Sequence, residues 1–283
     1  MHLPKENVQY KEHCPVDKLR PIVIESALWR VLASAWVRRA ETQKWVQAWA
    51  PFEAFGGIPE RSVEDALAKF HTEFKQPSTS AVVSLDLAKC FDHVSVPLAL
   101  KCLQKLGMPE PMIFACQHVW GQQIRFLQYR GCTSITPSQV ANSLPQGDAL
   151  SVIALLAILS MPTLDLRRRA EQDGEHVSMI TFVDDRSFLT HNAAFAMTMI
   201  NRWMRWSSDL GLVENDHKIC VVAQTAAAKE TMLANGAQEK WFVPSARILG
   251  VDFEYSRSPG RATAIARVDD TLCRVKKDRK SVV

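Results

Sequence analysis

Two short stretches of apolar and β-forming residues flank a pair of adjacent aspartates in the second half of the chain. The first stretch is 179–183, the aspartates are Asp184 and Asp185, and 187–188 begins the second stretch. This pattern predicts a tight β-hairpin with two carboxylates at its tip. An earlier apolar run, 81–85, also has strand character and ends at a third carboxylate, Asp86.

Apolar residues at helical spacing predict helices, and short apolar runs predict further strands. The helices are expected over 25–49, 62–74, 97–106, 145–161 and 193–210, and the strands over 124–129, 219–223 and 247–253. Ser62 with Asp65 has the spacing of a capping box, and Gly107 and Gly211 follow two helix ends. The tryptophans of 25–49 could stack on bases, but their spacing favours core packing.

The longest apolar run is interpreted as a buried helix rather than a membrane span. It extends from Ala149 to Met161 and is closed by Pro162, which is shorter than the ~20 residues that a bilayer requires. The following segment, 167–174, is expected to be a polar connection to the hairpin. No membrane partner is therefore predicted.

Composition places few limits on function. The chain has 283 residues, of which 47% are hydrophobic, so it can form one large domain or two closely packed subdomains. Its seven cysteines include no Cys-x-x-Cys pair and indicate neither a disulfide framework nor a zinc site. With no secretory pattern at the N-terminus, we expect an intracellular protein, nuclear or cytoplasmic, that is not secreted.

Charge is concentrated at the C-terminal end. Residues 254–283 carry eight Lys and Arg against four acids, a surplus equal to the net charge of +4 of the whole chain. Such a segment can contact a phosphate backbone, or it can be the solvated face of a helix. The sequence leaves both interpretations open.

The three carboxylates suggest a divalent metal site, because adjacent like charges are costly without a cation between them. An Asp-Asp pair by itself is most often a solvated turn. Here four segments occur in order: 81–92 with Asp86, 144–151 with Gln146-Gly147, 179–188 with Asp184-Asp185, and 211–218 with Lys218. Together they resemble motifs A, B, C and D of the palm domain of a reverse transcriptase.

The resemblance implies an α+β fold with the fingers and palm of a right-hand polymerase, an antiparallel palm sheet packed on helices, and a mostly missing thumb. The expected domains are fingers over 1–80, a palm over 81–255 with insertions between 107 and 140, and the start of a truncated thumb over 256–283. Segments 19–23 and 55–65 resemble the finger motifs of non-LTR retrotransposon enzymes of the long-interspersed-element type. Departures at Gly57, Glu60 and Val152 put the finger geometry in doubt.

The resemblance also assigns roles to individual residues. Two Mg²⁺ ions, or Mn²⁺, would be bound by Asp86, Asp184, Asp185 and the backbone carbonyl of Leu87. Lys218 would protonate the leaving pyrophosphate. Lys18 and Arg20 are expected to contact the triphosphate of the incoming nucleotide. The nascent base pair and its supporting helix are expected to involve Gln146, Gly147 and Ser151. The primer end is expected to contact Leu249 and Gly250.

Phe91, five residues after Asp86, bears on the choice of sugar. In the resembled family a bulky aromatic there leaves no room for a 2′-hydroxyl, so DNA synthesis from dNTPs is expected on an RNA template with a DNA or RNA primer. The less favoured alternative is that Phe91 is a core aromatic next to a capping Asp92. Two alternatives remain open: an inactive module that binds nucleic acid or protein, and a reverse transcriptase of the group II intron or retron type. A polymerase that makes RNA is disfavoured by Phe91. The oligomeric state is not predicted.

Overall fold

The structure, a computed structural model, describes residues 2–4, 19–21, 23–121, 123–129, 132–140 and 142–255. Its helices are α1 (Ala27–Val37), α2 (Ala40–Trp49), α3 (Val63–Phe74), α4 (Cys90–His93), α5 (Val96–Lys105), α6 (Glu110–Gly121), α7 (Ala149–Asp173), α8 (Ala193–Asp209) and α9 (Ala226–Ala234), with a 3-10 helix at Glu239–Trp241. Its strands are β1 (His2–Pro4), β2 (Leu19–Pro21), β3 (Ala81–Leu85), β4 (Gln123–Arg125), β5 (Gln128–Tyr129), β6 (Cys132–Thr133), β7 (Ser138–Val140), β8 (Val177–Phe182), β9 (Asp185–Thr190), β10 (Cys220–Ala223), β11 (Ala246–Ile248) and β12 (Val251–Phe253). The predicted α+β class is confirmed.

The central sheet has four antiparallel strands in the order β10-β3-β9-β8. Strand β3 lies inside the sheet, with Leu85 opposite Arg186 of β9, and β8 and β9 form the predicted hairpin. The strand that leads to Asp86 and the strand that starts at Asp185 are therefore neighbours.

Alternate residues of β3 pack on opposite faces of the sheet, as the two-residue repeat of a strand requires. Ala81, Val83 and Leu85 lie in a core with residues of α7, α8 and α9. Val82 lies in a second core, on the opposite face, with Phe70 of α3 and with the β11–β12 hairpin. A third, mostly helical core joins α1, α2, α5, α6 and α7. The sheet is thus packed between α7, α8 and α9 on one face and α3 with the β11–β12 hairpin on the other.

Both edges of this sheet are met by other parts of the chain. At β8, the N–H of Thr181 donates to the carbonyl of Glu53, and the N–H of Phe55 donates to the carbonyl of Thr181, both at 2.9 Å. At β10, the N–H of Val243 donates to the carbonyl of Val221 at 3.0 Å. Short parallel bridges therefore join the loop before α3 and the segment after α9 to the sheet.

The single helix predicted over 25–49 is wrong, since two helices occupy this range. Arg39 has an extended backbone with ψ 139° and separates α1 from α2. The break lets the rings of Trp36 and Trp45 pack with centroids 5.9 Å apart, and the Trp45 indole donates to the Leu106 carbonyl at 2.6 Å. Leu28 is 81% exposed, so part of the apolar pattern expected in the core faces solvent.

Helix α7 confirms the predicted buried helix but not its end, because Pro162 lies inside it and 167–173 is helical instead of a connection. Pro162 cannot donate to the carbonyl four residues earlier, a loss of ~3 kcal/mol in an exposed helix. Nearby hydroxyls support the same turn, with Thr163 donating to the Leu159 carbonyl at 2.8 Å. By length and hydropathy α7 could span a membrane, but 72% of its apolar window is buried in the protein. This burial is typical of a core helix.

Other predicted elements differ in smaller ways. The capping box at Ser62 and Asp65 is present. The strand predicted over 124–129 is instead two strands, β4 and β5, which pair with β7 and β6 in separate small sheets. The segment 247–253 forms the hairpin β11–β12. Helices α6 and α9 were not predicted, because neither has a strong apolar stripe.

Candidate active site

The tip of the β8–β9 hairpin is the tight turn that the sequence predicts. Phe182 pairs with Asp185, so Val183 and Asp184 form the turn itself. Val183 has φ 58°, a left-handed conformation that is rare for a β-branched residue and costs ~1–3 kcal/mol. The surrounding contacts must therefore hold the turn in a strained shape, as is common at functional sites.

Asp86 lies beside this tip. It follows Leu85, which pairs with Arg186, so the next position along β3 faces the start of β9. Burial raises the pKa of the Asp185 carboxyl, and the negative charges of Asp184 and Asp86 raise it further. The three predicted carboxylates thus share one electrostatic environment. Such a set of hard oxygen donors fits a divalent cation such as Mg²⁺.

Two side chains from the segment after α8 hold Asp86 in place. The Asn215 amide donates to Asp86 Oδ2 at 3.1 Å, and the Lys218 ammonium lies 3.1 Å from the same oxygen. The N–H of Asn215 also donates to the Asp86 carbonyl at 2.9 Å. Leu87, which is buried, forms an antiparallel bridge with Glu214. The predicted residue Lys218 is therefore next to the carboxylates, and the structure adds Asn215.

A buried ion pair lies directly behind the carboxylates. Arg186 donates to both carboxylate oxygens of Glu214, at 2.9 and 2.7 Å, and its side chain is only 1% exposed. Ser207 donates to Glu214 at 2.5 Å, and the Arg186 guanidinium lies 4.9 Å from the Trp203 ring centroid. The pair connects the hairpin to α8 and to the segment that carries Asn215 and Lys218.

The loop before α3 supports the hairpin from the other side. A Cβ atom at Gly56 would lie 2.6 Å from the Val183 backbone nitrogen and 2.7 Å from its Cγ2. Only glycine allows this approach. At Gly57, with φ 77°, a Cβ would lie 2.5 Å from Val152 Cγ1 of α7. The loop thus fits between the strained turn and the start of α7.

The residues expected around the incoming nucleotide lie on two elements near β3. Phe91 is half-buried in α4 and packs against the helical core, and its carbonyl accepts from the N–H of Leu144 at 2.8 Å. Gln146 is half-buried, and Gly147 is exposed with φ 111°. Ser151 is fully buried in the first turn of α7. Its buried hydroxyl makes no hydrogen bond within the described residues, and its contact with a substrate stays a prediction.

Asp148 organises this region through a buried acceptor. It caps α7 by accepting from the N–H of Leu150 at 3.0 Å, and its Oδ2 accepts from the indoles of Trp29 at 3.2 Å and Trp120 at 2.7 Å. Burial raises the pKa of Asp148, although these hydrogen bonds oppose the shift. Burial also raises the pKa of nearby Glu25 to about 7, with the Asp148 charge as the second cause.

The remaining predicted residues are farther from the carboxylates along the chain. Leu249 and Gly250 form the turn of the β11–β12 hairpin, with φ 47° and 88°. Lys18 lies outside the described residues, and Arg20 is described only as part of the β2 backbone. Whether these four contact a substrate stays a prediction.

Several residues that shape the site were not singled out from the sequence: Gly56, Asp148, Arg186, Glu214 and Asn215. One signal was available. In the two-residue repeat of β9, Arg186 and Phe188 share the inward direction, and a buried arginine requires an acidic partner. The partner lies 28 residues away, a separation that no local pattern predicts.

Comparisons with known proteins agree with this geometry. A family model described as reverse transcriptase (RNA-dependent DNA polymerase) matches residues 3–253. No curated protein sequence matches the chain. Telomerase from Candida tropicalis, in complex with a TWJ fragment of telomeric RNA, is similar with a TM-score of 0.55 and 14% identity over 80% of this chain and 38% of that chain. Apo telomerase from the same organism, truncated from its C-terminal domain, gives 0.53 and 13% over 78% and 43%. At these identities the likeness shows the fold alone, and this chain spans less than half the length of either telomerase chain.

Proposed function

Because the chain belongs to the reverse transcriptase (RNA-dependent DNA polymerase) family, we propose that it copies an RNA template into DNA. It would transfer nucleotides from dNTPs to the 3′-hydroxyl of a DNA or RNA primer. The observation that carries this proposal is the placement of Asp86, Asp184 and Asp185 at one end of the central sheet, with Lys218 beside them. A structural scaffold has no need for this costly arrangement of like charges.

Asp86, Asp184, Asp185 and the carbonyl of Leu87 would hold two Mg²⁺ ions, or Mn²⁺. The carboxylates are the hard oxygen ligands that Mg²⁺ prefers. Burial raises the pKa of Asp185, and the negative charges of Asp184 and Asp86, which a cation would neutralise, raise it further. Such ions stabilise the attacking and leaving oxygens of an in-line displacement. The protein's own contribution is the rigid support of these ligands by Asn215 and by the Arg186–Glu214 pair.

Other residues of the chain would act on the substrates. Lys218 is exposed and close to Asp86, so it can approach the leaving pyrophosphate and protonate it. Phe91, held by the helical core, would exclude a 2′-hydroxyl. Gln146 and Gly147 would lie against the nascent base pair, and Leu249-Gly250 against the primer end. Lys18 and Arg20 would reach the triphosphate.

The finger segments 19–23 and 55–65 favour a non-LTR retrotransposon enzyme within this family. An RNA template agrees with the family and with the similarity in fold to a telomerase solved with telomeric RNA. The localisation would be nuclear or cytoplasmic, where a retroelement enzyme meets RNA.

Two contacts of Asp86 favour a second candidate, a non-catalytic module that binds nucleic acid or protein. Lys218 and Asn215 both contact Asp86 Oδ2, so protein groups already compensate part of its charge without a metal ion. In a non-catalytic module these contacts would be permanent. In a polymerase, Asp86 would serve as a metal ligand, and Lys218 would turn from Asp86 toward the substrate.

Primer extension on an RNA template with Mg²⁺ distinguishes the two candidates. The parent chain should extend the primer with dNTPs and not with ribonucleotides. Asp86→Asn and Asp184→Asn should each lower the rate by roughly 10³-fold or more, since each removes several kcal/mol of metal-mediated stabilisation. Asp209→Asn, an exposed aspartate at the end of α8, is the matched control and should retain the parent rate.

Phe91→Val tests the sugar assignment in the same assay. Ribonucleotide incorporation should rise while dNTP addition is largely kept. The non-catalytic module would be favoured if Asp86→Asn extended the primer at the parent rate, or if the parent chain extended the primer on no template.

A further inference from the structure

We propose that Glu73, His176 and His191 form a binding site for one divalent metal ion of the zinc class, separate from the carboxylates at the hairpin tip. The three residues each offer one ligand atom, and these atoms all lie within 4.8 Å of one another. Two imidazoles and one carboxylate are a recurrent protein ligand set for Zn²⁺.

The site lies at the far end of the β8–β9 hairpin. Val177 pairs with Thr190, and His176 and His191 are the next residues beyond this pair. Six-residue strands at ~3.3 Å per residue place the site roughly 20 Å from the turn at Asp184. The third ligand, Glu73, comes from the last turn of α3. A bound ion would therefore join a helix to both strands of the hairpin.

The spacing of the ligand atoms is close to what a tetrahedral ion requires. His176 Nε2 lies 3.0 Å from Glu73 Oε2, whereas donors about 2.0–2.2 Å from one ion are separated by roughly 3.3 Å. The rings of His176 and His191 have centroids 4.4 Å apart and are tilted by 32°. Small side-chain adjustments would bring all three donors onto a common ion.

Polar neighbours fix the ligands in this arrangement. Ser78 Oγ lies 3.2 Å from His191 Nε2, and the Ser80 hydroxyl donates to the His191 carbonyl. Thr79 donates to the Glu73 carbonyl at 2.8 Å. A partner on the second ring nitrogen, such as Ser78, orients an imidazole that binds a metal through its other nitrogen. The bonds from Ser80 and Thr79 hold the backbone of His191 and Glu73. The cluster is thus held by contacts beyond the hydrogen bond between Glu73 and His176.

Three protein ligands leave a fourth position open to water, and the role we assign to the ion is to join α3 to the two strands of the hairpin. The ion would fix the open end of the hairpin, while the strained turn at Val183 lies at the opposite end. No local sequence pattern indicates this site, because the three ligands are 103 and 15 residues apart along the chain. Cysteine spacing, the usual indicator of zinc, does not apply to it.

Cobalt(II) and zinc(II) binding by the metal-free chain tests the proposal, with excess Mg²⁺ present to occupy the carboxylate site. Tetrahedral Co²⁺ with imidazole ligands absorbs visible light far more strongly than octahedral Co²⁺ bound by oxygen. We expect one equivalent of strongly absorbing Co²⁺, displaced by Zn²⁺. Zn²⁺ should also raise the melting temperature of the parent chain.

His176→Gln, His191→Gln and the isosteric Glu73→Gln should each weaken binding by more than the roughly 10- to 100-fold that losing an outer-shell partner costs. His118→Gln, an exposed histidine of α6, is the control and should bind like the parent. A parent chain without strong visible absorption, or variants that bind Co²⁺ as tightly as the parent, would overturn the site. Because neither readout involves polymerisation, the result is independent of the proposed function.

Discussion

Removing one side of the buried ion pair between Arg186 and Glu214 should strongly destabilise the protein. In Glu214→Gln the guanidinium of Arg186, only 1% exposed, would keep its charge and lose a bidentate partner at 2.7 and 2.9 Å. Removing one member of a buried pair costs ~3–5 kcal/mol. At about 1.4 kcal/mol per tenfold change, this is a loss of roughly 10²- to 10⁴-fold in the folding equilibrium. The total free energy of unfolding of most domains is only ~5–15 kcal/mol.

Urea unfolding followed by tryptophan fluorescence measures this loss, and Trp203 beside Arg186 is a suitable reporter. The pair Arg205–Asp209, on the surface of α8 with side chains 85% and 63% exposed, supplies the control. Asp209→Asn should cost less than ~1 kcal/mol. The double variant Arg186→Met/Glu214→Leu should be far less destabilised than Glu214→Gln, because no buried charge is left without a partner.

A loss below ~1 kcal/mol in Glu214→Gln would refute this reasoning, since it would mean that water solvates Arg186 as it does an exposed residue. The same variant has a functional readout. Glu214 forms a bridge with Leu87, and Asn215 donates to Asp86, so a displaced Glu214 segment should also lower nucleotide addition.

Two further predictions follow from the loop and the helical region around the site. Gly56→Ala should lower the free energy of unfolding by ~1–3 kcal/mol and the rate of polymerisation by about 10²-fold, because its Cβ would displace the turn at Val183. Gly121→Ala is the control, since a Cβ there meets no other atom. Activity of Gly56→Ala at the parent level would show that the turn tolerates the shift. The folded-state pKa of Glu25 is raised from 4.5 to about 7, so its ionisation should lower stability as pH rises across that interval and add no further change above it. Burial also raises the pKa of Asp148 and Asp185, so these carboxyls should add a slope of the same sign. Melting temperatures between about pH 5 and pH 8 should therefore fall less steeply in Glu25→Gln than in the parent and in the control Glu110→Gln. An identical slope in Glu25→Gln would assign the whole effect to other groups.

The sequence was most informative where local rules decide the structure. The strand before Asp86, the Asp184 turn and the cap at Ser62 depend on residues within a few positions of each other, and all three are present. Gly211, with φ 71°, follows the end of α8 as expected.

Tertiary contacts decided the rest. Pro162 predicts a helix end, but burial of α7 on several sides outweighs the missing hydrogen bond. The break at Arg39 accompanies the packing of Trp36 against Trp45, and the role of Gly56 depends on a hairpin more than 120 residues later. The roles of Asn215 and of the Glu73–His176–His191 cluster likewise appear only after distant segments meet.

The bridges at the two edges of the central sheet also bear on aggregation. An uncovered edge strand exposes N–H and C=O groups that can pair with another chain. Here the segment 53–55 occupies part of the β8 edge, and 242–243 occupies part of the β10 edge. A fragment that began after residue 60 would expose Thr181 and its neighbours to intermolecular strand pairing. Fragments of the palm prepared without this loop should therefore self-associate more readily than the whole chain, even where their own core is intact.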